Sequence, residues 1–271
     1  MSSTGEKLKV MTFNIRYDNN WDHDHSWTLR RQNVVNKIKE HQPDLLGVQE
    51  AMRHQVDYLL HMLDHYDYVG VGRGDGKDQD EFAAILYNKN RLTMLDNHTF
   101  WLSETPDKVG SMGWDSACTR ICTWAKFEDK YTKKIFYHFN THFDHEGEVA
   151  QVNSAKLILD QIKSVADQNP VIVMGDLNVT PDSMTYKTLT GQHTKDITHS
   201  TAFLRDVCID EEGNPITKGT FSDFGRVSPF KIDYIFINNN IEVDHFIIDA
   251  DNEEGIFTSD HFPIIADLKM L

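Results

Sequence analysis

The chain has 271 residues, 39% of them hydrophobic and 11% aromatic, which is enough to build one α/β core of substantial size. No apolar run approaches the ~20 residues that cross a bilayer, and residues 1–7 carry no apolar signal core. The formal net charge of −15 argues against tight binding of long nucleic acid, since Arg30-Arg31 and Lys133-Lys134 are isolated basic pairs and not a patch.

A short oligonucleotide stays compatible with that charge, because a metal ion can supply local positive charge. A cytoplasmic protein is expected, with one domain over residues 1–271 and a flexible stretch at 1–7. The three cysteines, Cys118, Cys122 and Cys208, are odd in number and show no CxxC spacing, so they read as reduced thiols.

In chain order, Lys9–Ile15 alternates and reads as a first strand. Trp27–Ile38 places Trp27, Val34, Val35 and Ile38 at helical spacing and stops ahead of Pro43. Leu45–Glu50 is a short buried strand, and Met52–Leu63 a second helix with Val56, Leu59, Leu60 and Leu63 on its stripe. Gly70–Asp80, rich in Gly and Asp, is expected to be the most flexible segment.

Phe82–Tyr87, Leu92–Leu102, Arg120–Phe127 and Ile135–Thr141 follow as strands, with Trp101–Trp114 a long loop. Val149–Val165 is the longest helix, with Val152, Ala155, Leu159 and Ile162 on one stripe. A strand ending at Met174, a helix near Ser183–Leu189, and strands at Ile232–Ile237, Val243–Asp249 and Phe262–Leu268 complete the chain. This βα, β-rich, βα, β order fits a large mixed sandwich better than one doubly wound sheet.

Polar residues cluster where these apolar strands end, and charge is costly there unless water, metal or substrate meets it. Gly175-Asp176-Leu177-Asn178 turns sharply off a buried strand and offers a carboxylate and an amide together. Asn140-Thr141-His142-Phe143-Asp144-His145 puts two histidines in one turn, which reads either as an exposed turn or as a metal or phosphate contact. Ser259-Asp260-His261 pairs a carboxylate with an imidazole, and Asp233, early in a buried strand, needs a partner that a histidine can supply.

Glu50 and Asn14, each at a strand end, are equally readable as cap or turn residues. The Trp21-Asp22-His23-Asp24-His25 tract reads as an exposed loop. Asp249–Glu254 reads as a solvated turn, because it lacks the pattern of a calcium loop.

Taken in order, Thr12-Phe13-Asn14, Gln49-Glu50, Asn140-Thr141-His142, Gly175-Asp176-Leu177-Asn178, Ile232-Asp233-Tyr234 and Ser259-Asp260-His261 resemble the endonuclease/exonuclease/phosphatase superfamily over essentially the whole chain. The resemblance implies a four-layer α/β/β/α sandwich with two central mixed β-sheets and a site at one edge. It implies that Glu50, with Asn14 and Asp260, holds Mg²⁺ or Mn²⁺, and that Asp176 orients or deprotonates the attacking water with Asn178 beside it.

It further implies that His142 donates to phosphate and that His261, oriented by Asp233, serves as acid/base or transition-state donor. Arg120 matches a position where relatives contact phosphate. Trp101–Pro106 followed by Gly113-Trp114-Asp115 resembles a bacterial subgroup of small phosphoesterases, in which Trp101 and Trp114 either flank the pocket or simply pack.

The expected activity is metal-dependent hydrolysis of a small or short phosphorylated substrate, a sugar phosphate or nucleotide, by direct attack of water. The alternative is a nuclease acting on RNA or DNA. A catalytically dead module of the same fold would have lost one of these residues, and none is lost. A glycosidase would leave the two histidines and Asn178 without a task. No membrane and no protein partner is implied.

Overall fold

The computed structural model describes residues 6–192, 204–250 and 257–271. Twelve strands and four helices follow one another among them: β1 (Lys7–Asn14), α1 (Trp27–His41), β2 (Leu45–Ala51), α2 (Arg53–Met62), β3 (Tyr66–Val69), β4 (Phe82–Asn88), β5 (Leu92–Trp101), β6 (Ile121–Asp129), β7 (Ile135–His142), α3 (Glu148–Val165), β8 (Val171–Asp176), α4 (Met184–Thr190), β9 (Arg205–Asp206), β10 (Asp233–Ile237), β11 (Ile241–Ile248) and β12 (Ile264–Met270).

They form two six-stranded sheets, ordered β11-β12-β1-β2-β4-β3 and β5-β6-β7-β8-β10-β9. Each sheet has one parallel pair, β1 with β2 and β7 with β8, and antiparallel neighbours elsewhere. A parallel pair needs a crossover, and α1 and α3 provide the two.

The crossovers decide the layers. Trp27, Val34, Val35 and Ile38 of α1, with Val56 and Leu59 of α2, bury against Met11, Phe13, Leu46 and Leu86 on the outer face of the first sheet. Ala155, Ile158 and Ile162 of α3, with Tyr186 and Leu189 of α4, bury against Phe139, Val171, Val173 and Phe236 of the second. Between the sheets lie Val10, Leu45, Ile85, Phe127, Phe136, Ile172, Met174 and Ile235. The alternation of side chains along each strand serves both faces at once, which yields the expected α/β/β/α sandwich.

One polar tie crosses the middle layer just below the edge where the site forms. The Asn140 amide donates to Val48 O and Ala84 O at 2.9 and 2.8 Å, and its oxygen accepts from Gln49 Nε2 at 2.6 Å. Gly47 leaves the room for it, since a Cβ there would stand 2.7 Å from Asn140 Oδ1.

Several expectations change. Lys7 already belongs to β1, while residues 1–5 lie outside the described residues. Segment 70–80 is held by hydrogen bonds from Gly72 N to Lys77 O, Gly74 N to Gln79 O and Arg73 N to Glu81 O. Asp249 is not solvated: it is buried against Lys37 at 2.8 Å and His41 at 2.7 Å, both from α1. The rest of that acidic stretch, Asp251–Glu254, lies outside the described residues. In the Trp21–His25 tract, His23–His25 form a 3₁₀ turn and Asp22 is buried by Arg16 and Asn19. Among the described residues no helix is long and apolar enough to cross a membrane.

Candidate active site

The C-terminal ends of β1, β2, β7 and β8 converge with the N-terminal end of β10 and the turn before β12. They bring Asn14, Glu50, His142, Asp176, Asp233 and His261 into one buried cluster. Local backbone geometry aims several of them. Gly175 sits at φ 150°, where an added Cβ would stand 2.0 Å from Thr141 O, so only glycine lets β8 pass β7 this closely. Glu50 and Asn178 are left-handed, at φ 61° and 53°, a strained choice for residues with a side chain and one that recurs at functional positions.

Asp176 is central. Its Oδ2 accepts from Asn14 Nδ2 at 2.9 Å and lies 3.5 Å from His142 Nε2 and 3.6 Å from His261 Nε2. Its Oδ1 accepts from the Asn178 backbone N–H at 2.9 Å. Burial, reinforced by the charge of Asp233 and opposed by His261, pushes this carboxyl up to about 7.

His261 Nδ1 meets Asp233 Oδ2 at 2.9 Å. Burial alone would depress this imidazole, but Asp233 and Asp176 outweigh it and hold it well above the ordinary histidine value. His142 goes the other way: burial first, then Arg120, push it well below. The two histidines that flank Asp176 are thus shifted in opposite directions, His261 toward the cation and His142 toward the neutral ring.

Asn14 Nδ2 also donates to Glu50 Oε1 at 3.0 Å, and Tyr17 N donates to Glu50 Oε2 at 3.1 Å. Asp260 lies apart from Asp176, with its Oδ2 3.5 Å from Arg16 Nη1. The same nitrogen is 3.9 Å from Glu50 Oε2, so Glu50 and Asp260 face one guanidinium group. Among the described residues, Glu50 belongs to a group of convergent acidic and histidine donors. That group is Glu50, Asp176 and His261, whose ligand atoms all lie within 4.8 Å of one another. The Asn14 amide nitrogen, not its oxygen, faces this group, and its Oδ1 accepts from Arg16 N at 3.0 Å.

A cleft of about 540 Å³ opens onto the cluster and is lined also by Arg73, Glu81, Cys118, Arg120 and Phe230. Arg120 is only 5% exposed, yet its Nε and Nη1 make no hydrogen bond. Its Nη2 contacts His145 Nδ1 at 3.1 Å. Its Nε lies 3.7 Å from Asp144 Oδ2, so the guanidinium is ion-paired on one side, while Nη1 has no hydrogen-bond partner and is suited to an anion.

The family model described as the endonuclease/exonuclease/phosphatase family matches residues 11–261. The chain belongs to this family. Its members are metal-dependent phosphoric ester hydrolases, and this chain is an enzyme of that class.

The phosphoesterase is similar in structure to an endonuclease/exonuclease/phosphatase from Bacteroides vulgatus, with 41% identity, a TM-score of 0.88, and coverage of 98% of this chain and 99% of that one. It is also similar to a mannosyl-6-phosphatase from Bacteroides thetaiotaomicron VPI-5482, with 32% identity, a TM-score of 0.85, and coverage of 96% and 99%. A more distant curated relative is the CCR4-Not complex 3'-5'-exoribonuclease subunit Ccr4 of Mycosarcoma maydis. It is 20% identical over 99% of this chain, which spans only 51% of that relative's length.

Four residues of the phosphoesterase site escaped the sequence reading. Glu81 lies beside His142, its Oε2 3.6 Å from Nδ1 and without a hydrogen bond, while its other oxygen holds Arg73 at 2.9 Å. Arg16 bridges Glu50, Asp260 and Asp22. Arg30, read as half of an isolated basic pair, is fully buried. It donates to Ile15 O, to Arg16 O at 2.7 Å and to Thr258 O at 3.1 Å, which clamps the loop after β1 to the turn before β12.

Arg30 follows the helical stripe as an a-priori apolar position, and that was the one available signal. Trp101 and Trp114 do not line the cleft. Trp101 is buried, and its indole N–H donates to Arg73 O at 2.8 Å.

Proposed function

We propose that the enzyme hydrolyses the phosphate ester of a small or short phosphorylated substrate, a sugar phosphate before a nucleotide, with Mg²⁺ or Mn²⁺. The observation that carries this is the Asp176 carboxylate, set within 3.6 Å of His142 and His261 at the floor of a cleft that also presents Arg120, whose Nη1 makes no hydrogen bond. The donor set fits a hard divalent ion: Glu50 and Asp176 converge, Asp260 stands nearby, Arg16 faces Glu50 and Asp260, and His261 faces Asp176. Such an ion, when bound, withdraws charge from the phosphate as a Lewis acid.

The protein's own groups divide the remaining work. Water attacks phosphorus while Asp176 takes its proton, and the Asn178 N–H fixes the orientation of that carboxylate. Arg120 takes a non-bridging oxygen through Nη1, its Nε being turned to Asp144. As the ester P–O bond breaks, the His261 cation, held by Asp233, stabilises or protonates the leaving oxygen. His142 Nε2 already receives the Asn178 amide at 3.1 Å, so this ring serves to hold Asn178, and donation to phosphate falls to Arg120.

The preference for a small ester rests on the acidic chain, the size of the cleft and the similarity to a mannosyl-6-phosphatase. The nuclease reading has one specific support, the alignment of Ccr4 along 99% of the chain. Hydrolysis of phosphomono- and phosphodiesters with and without chelator tests both readings. Turnover that survives chelation, or that survives Asp176→Ala and His261→Ala, overturns the mechanism. Salt-sensitive binding with preference for oligonucleotides over sugar phosphates selects the nuclease.

A further inference from the structure

A second cleft, of about 850 Å³, adjoins the catalytic one. His145, Asn178, Phe230 and Ile232 line both, so the two spaces share a wall and meet where Asn178 stands. Asn178 has one side toward Asp176 and His142, and the other toward the N-terminal turns of α3 and α4. A group ester-linked to a phosphate at Arg120 and Asp176 therefore has a route past Asn178 into this second space. A volume of this size lies within the range of about 300–1,000 Å³ in which whole small molecules are enclosed.

The lining identifies what such a group is made of. Val149, Met184 and Phe230 are 54%, 55% and 43% exposed and give the cleft apolar faces. Asn153, Thr180 and Glu148 place hydrogen-bonding groups among them. Small apolar faces interleaved with amide, hydroxyl and carboxylate match a carbohydrate, whose rings show C–H faces and hydroxyls side by side.

Charge decides against a nucleic-acid strand. The ionic lining is Glu146 and Glu148 against Lys156 alone, so the next phosphate of an oligonucleotide would meet an excess of negative charge. A lipid chain would have to cover the same polar groups without satisfying them.

We propose that this cleft is the leaving-group subsite, and that it takes a neutral carbohydrate of more than one ring carrying a single terminal phosphate. The inference rests on the phosphoesterase reading above and names the substrate class of that same site. Binding energy collected this far from phosphorus would raise kcat/KM for the larger substrate without changing the chemistry.

The test compares glycerol phosphate, mannose 6-phosphate, a mannotriose bearing one terminal 6-phosphate, and a trinucleotide with a 3'-phosphate, all with the Mg²⁺-loaded full chain. The trisaccharide phosphate is expected to exceed glycerol phosphate by at least about tenfold in kcat/KM. Val149→Trp and Met184→Trp, at half-exposed first-turn positions, should erase that advantage and leave glycerol phosphate turnover and the melting temperature as they are. Glu146→Lys with Glu148→Lys should raise the rate on the trinucleotide.

Equal kcat/KM for small and large sugars, or an advantage that survives both tryptophans, overturns the subsite while the phosphoesterase reading stands. So does a trinucleotide that outruns the trisaccharide. Failure to hydrolyse any of the four esters overturns the phosphoesterase reading and the subsite together.

Discussion

Asp233→Asn removes one negative charge from His261 and keeps an acceptor in its place. The carboxylate oxygen lies 2.9 Å from Nδ1, and both side chains are almost wholly buried. Two charges about 4 Å apart at an effective dielectric of about 20 attract by about 4 kcal/mol. The hydrogen bond that asparagine retains recovers a part of it, leaving a loss of about 3 kcal/mol, or roughly a hundredfold in kcat.

The sign of the pH effect follows from the same pair. His261 is held well above its ordinary value, so the protonated form persists through neutral pH and is lost only as pH rises past that raised value. Without the Asp233 charge, burial is opposed by Asp176 and Asp260 alone, and the loss moves to lower pH. The expected profile of Asp233→Asn is thus a deep deficit at pH 8 that shrinks toward pH 6, at unchanged KM, measured by steady-state kinetics on a phosphate ester. An NMR titration of the His261 ring should show its midpoint falling. A variant whose kcat stays within about threefold of the parent at every pH would refute the reasoning.

Gly175→Ala should destabilise the fold by more than about 3 kcal/mol, read as a lower urea midpoint, because the new Cβ would stand 2.0 Å from Thr141 O. Asn140→Ala strips Gln49 Nε2, Val48 O and Ala84 O of a partner, so a loss of at least about 3 kcal/mol is expected in the same assay. His138 is fully buried with no partner on either ring nitrogen, and burial depresses it to about 3. The unfolded chain then takes up a proton near pH 6.5 that the folded one refuses. Through this residue stability is complete above pH 6.5 and falls by up to about 1.4 kcal/mol per pH unit toward pH 3. His138→Leu should flatten that slope in denaturation curves taken from pH 7 to pH 4.

The long apolar-periodic elements were legible because burial on one or both faces writes itself into the sequence: α1, α3, β7 and β8 fall where the pattern puts them. Two strands were not. Tyr66–Val69 forms the edge of its sheet, with mostly half-buried side chains, and Arg205–Asp206 is two residues long, so neither carries a period-2 signal.

At the site, Asn14, Glu50, His142, Asp176, Asp233 and His261 stood out because each follows or opens a buried strand. Glu81 and Arg73 sit in a Gly- and Asp-rich stretch that offers no such contrast. The burial of Asp249 depends on Lys37 and His41, more than 200 residues away, and no local pattern announces it. The sharing of Arg16 between Glu50 and Asp260 is likewise a product of tertiary approach.

β12, the last strand, lies between β11 and β1, and the turn before it ties Ser259 Oγ to Asn14 O across 245 residues of sequence. His261 therefore joins the catalytic cluster last, after Asn14, Glu50, His142, Asp176 and Asp233 are all in the chain. During synthesis β1 has only β2 beside it, and its other edge stays open until β12 emerges and inserts. A growing chain can assemble the Asp176 turn early, but it has no His261 to work with. The site is complete only once β12 has inserted beside β1 and His261 has met Asp233.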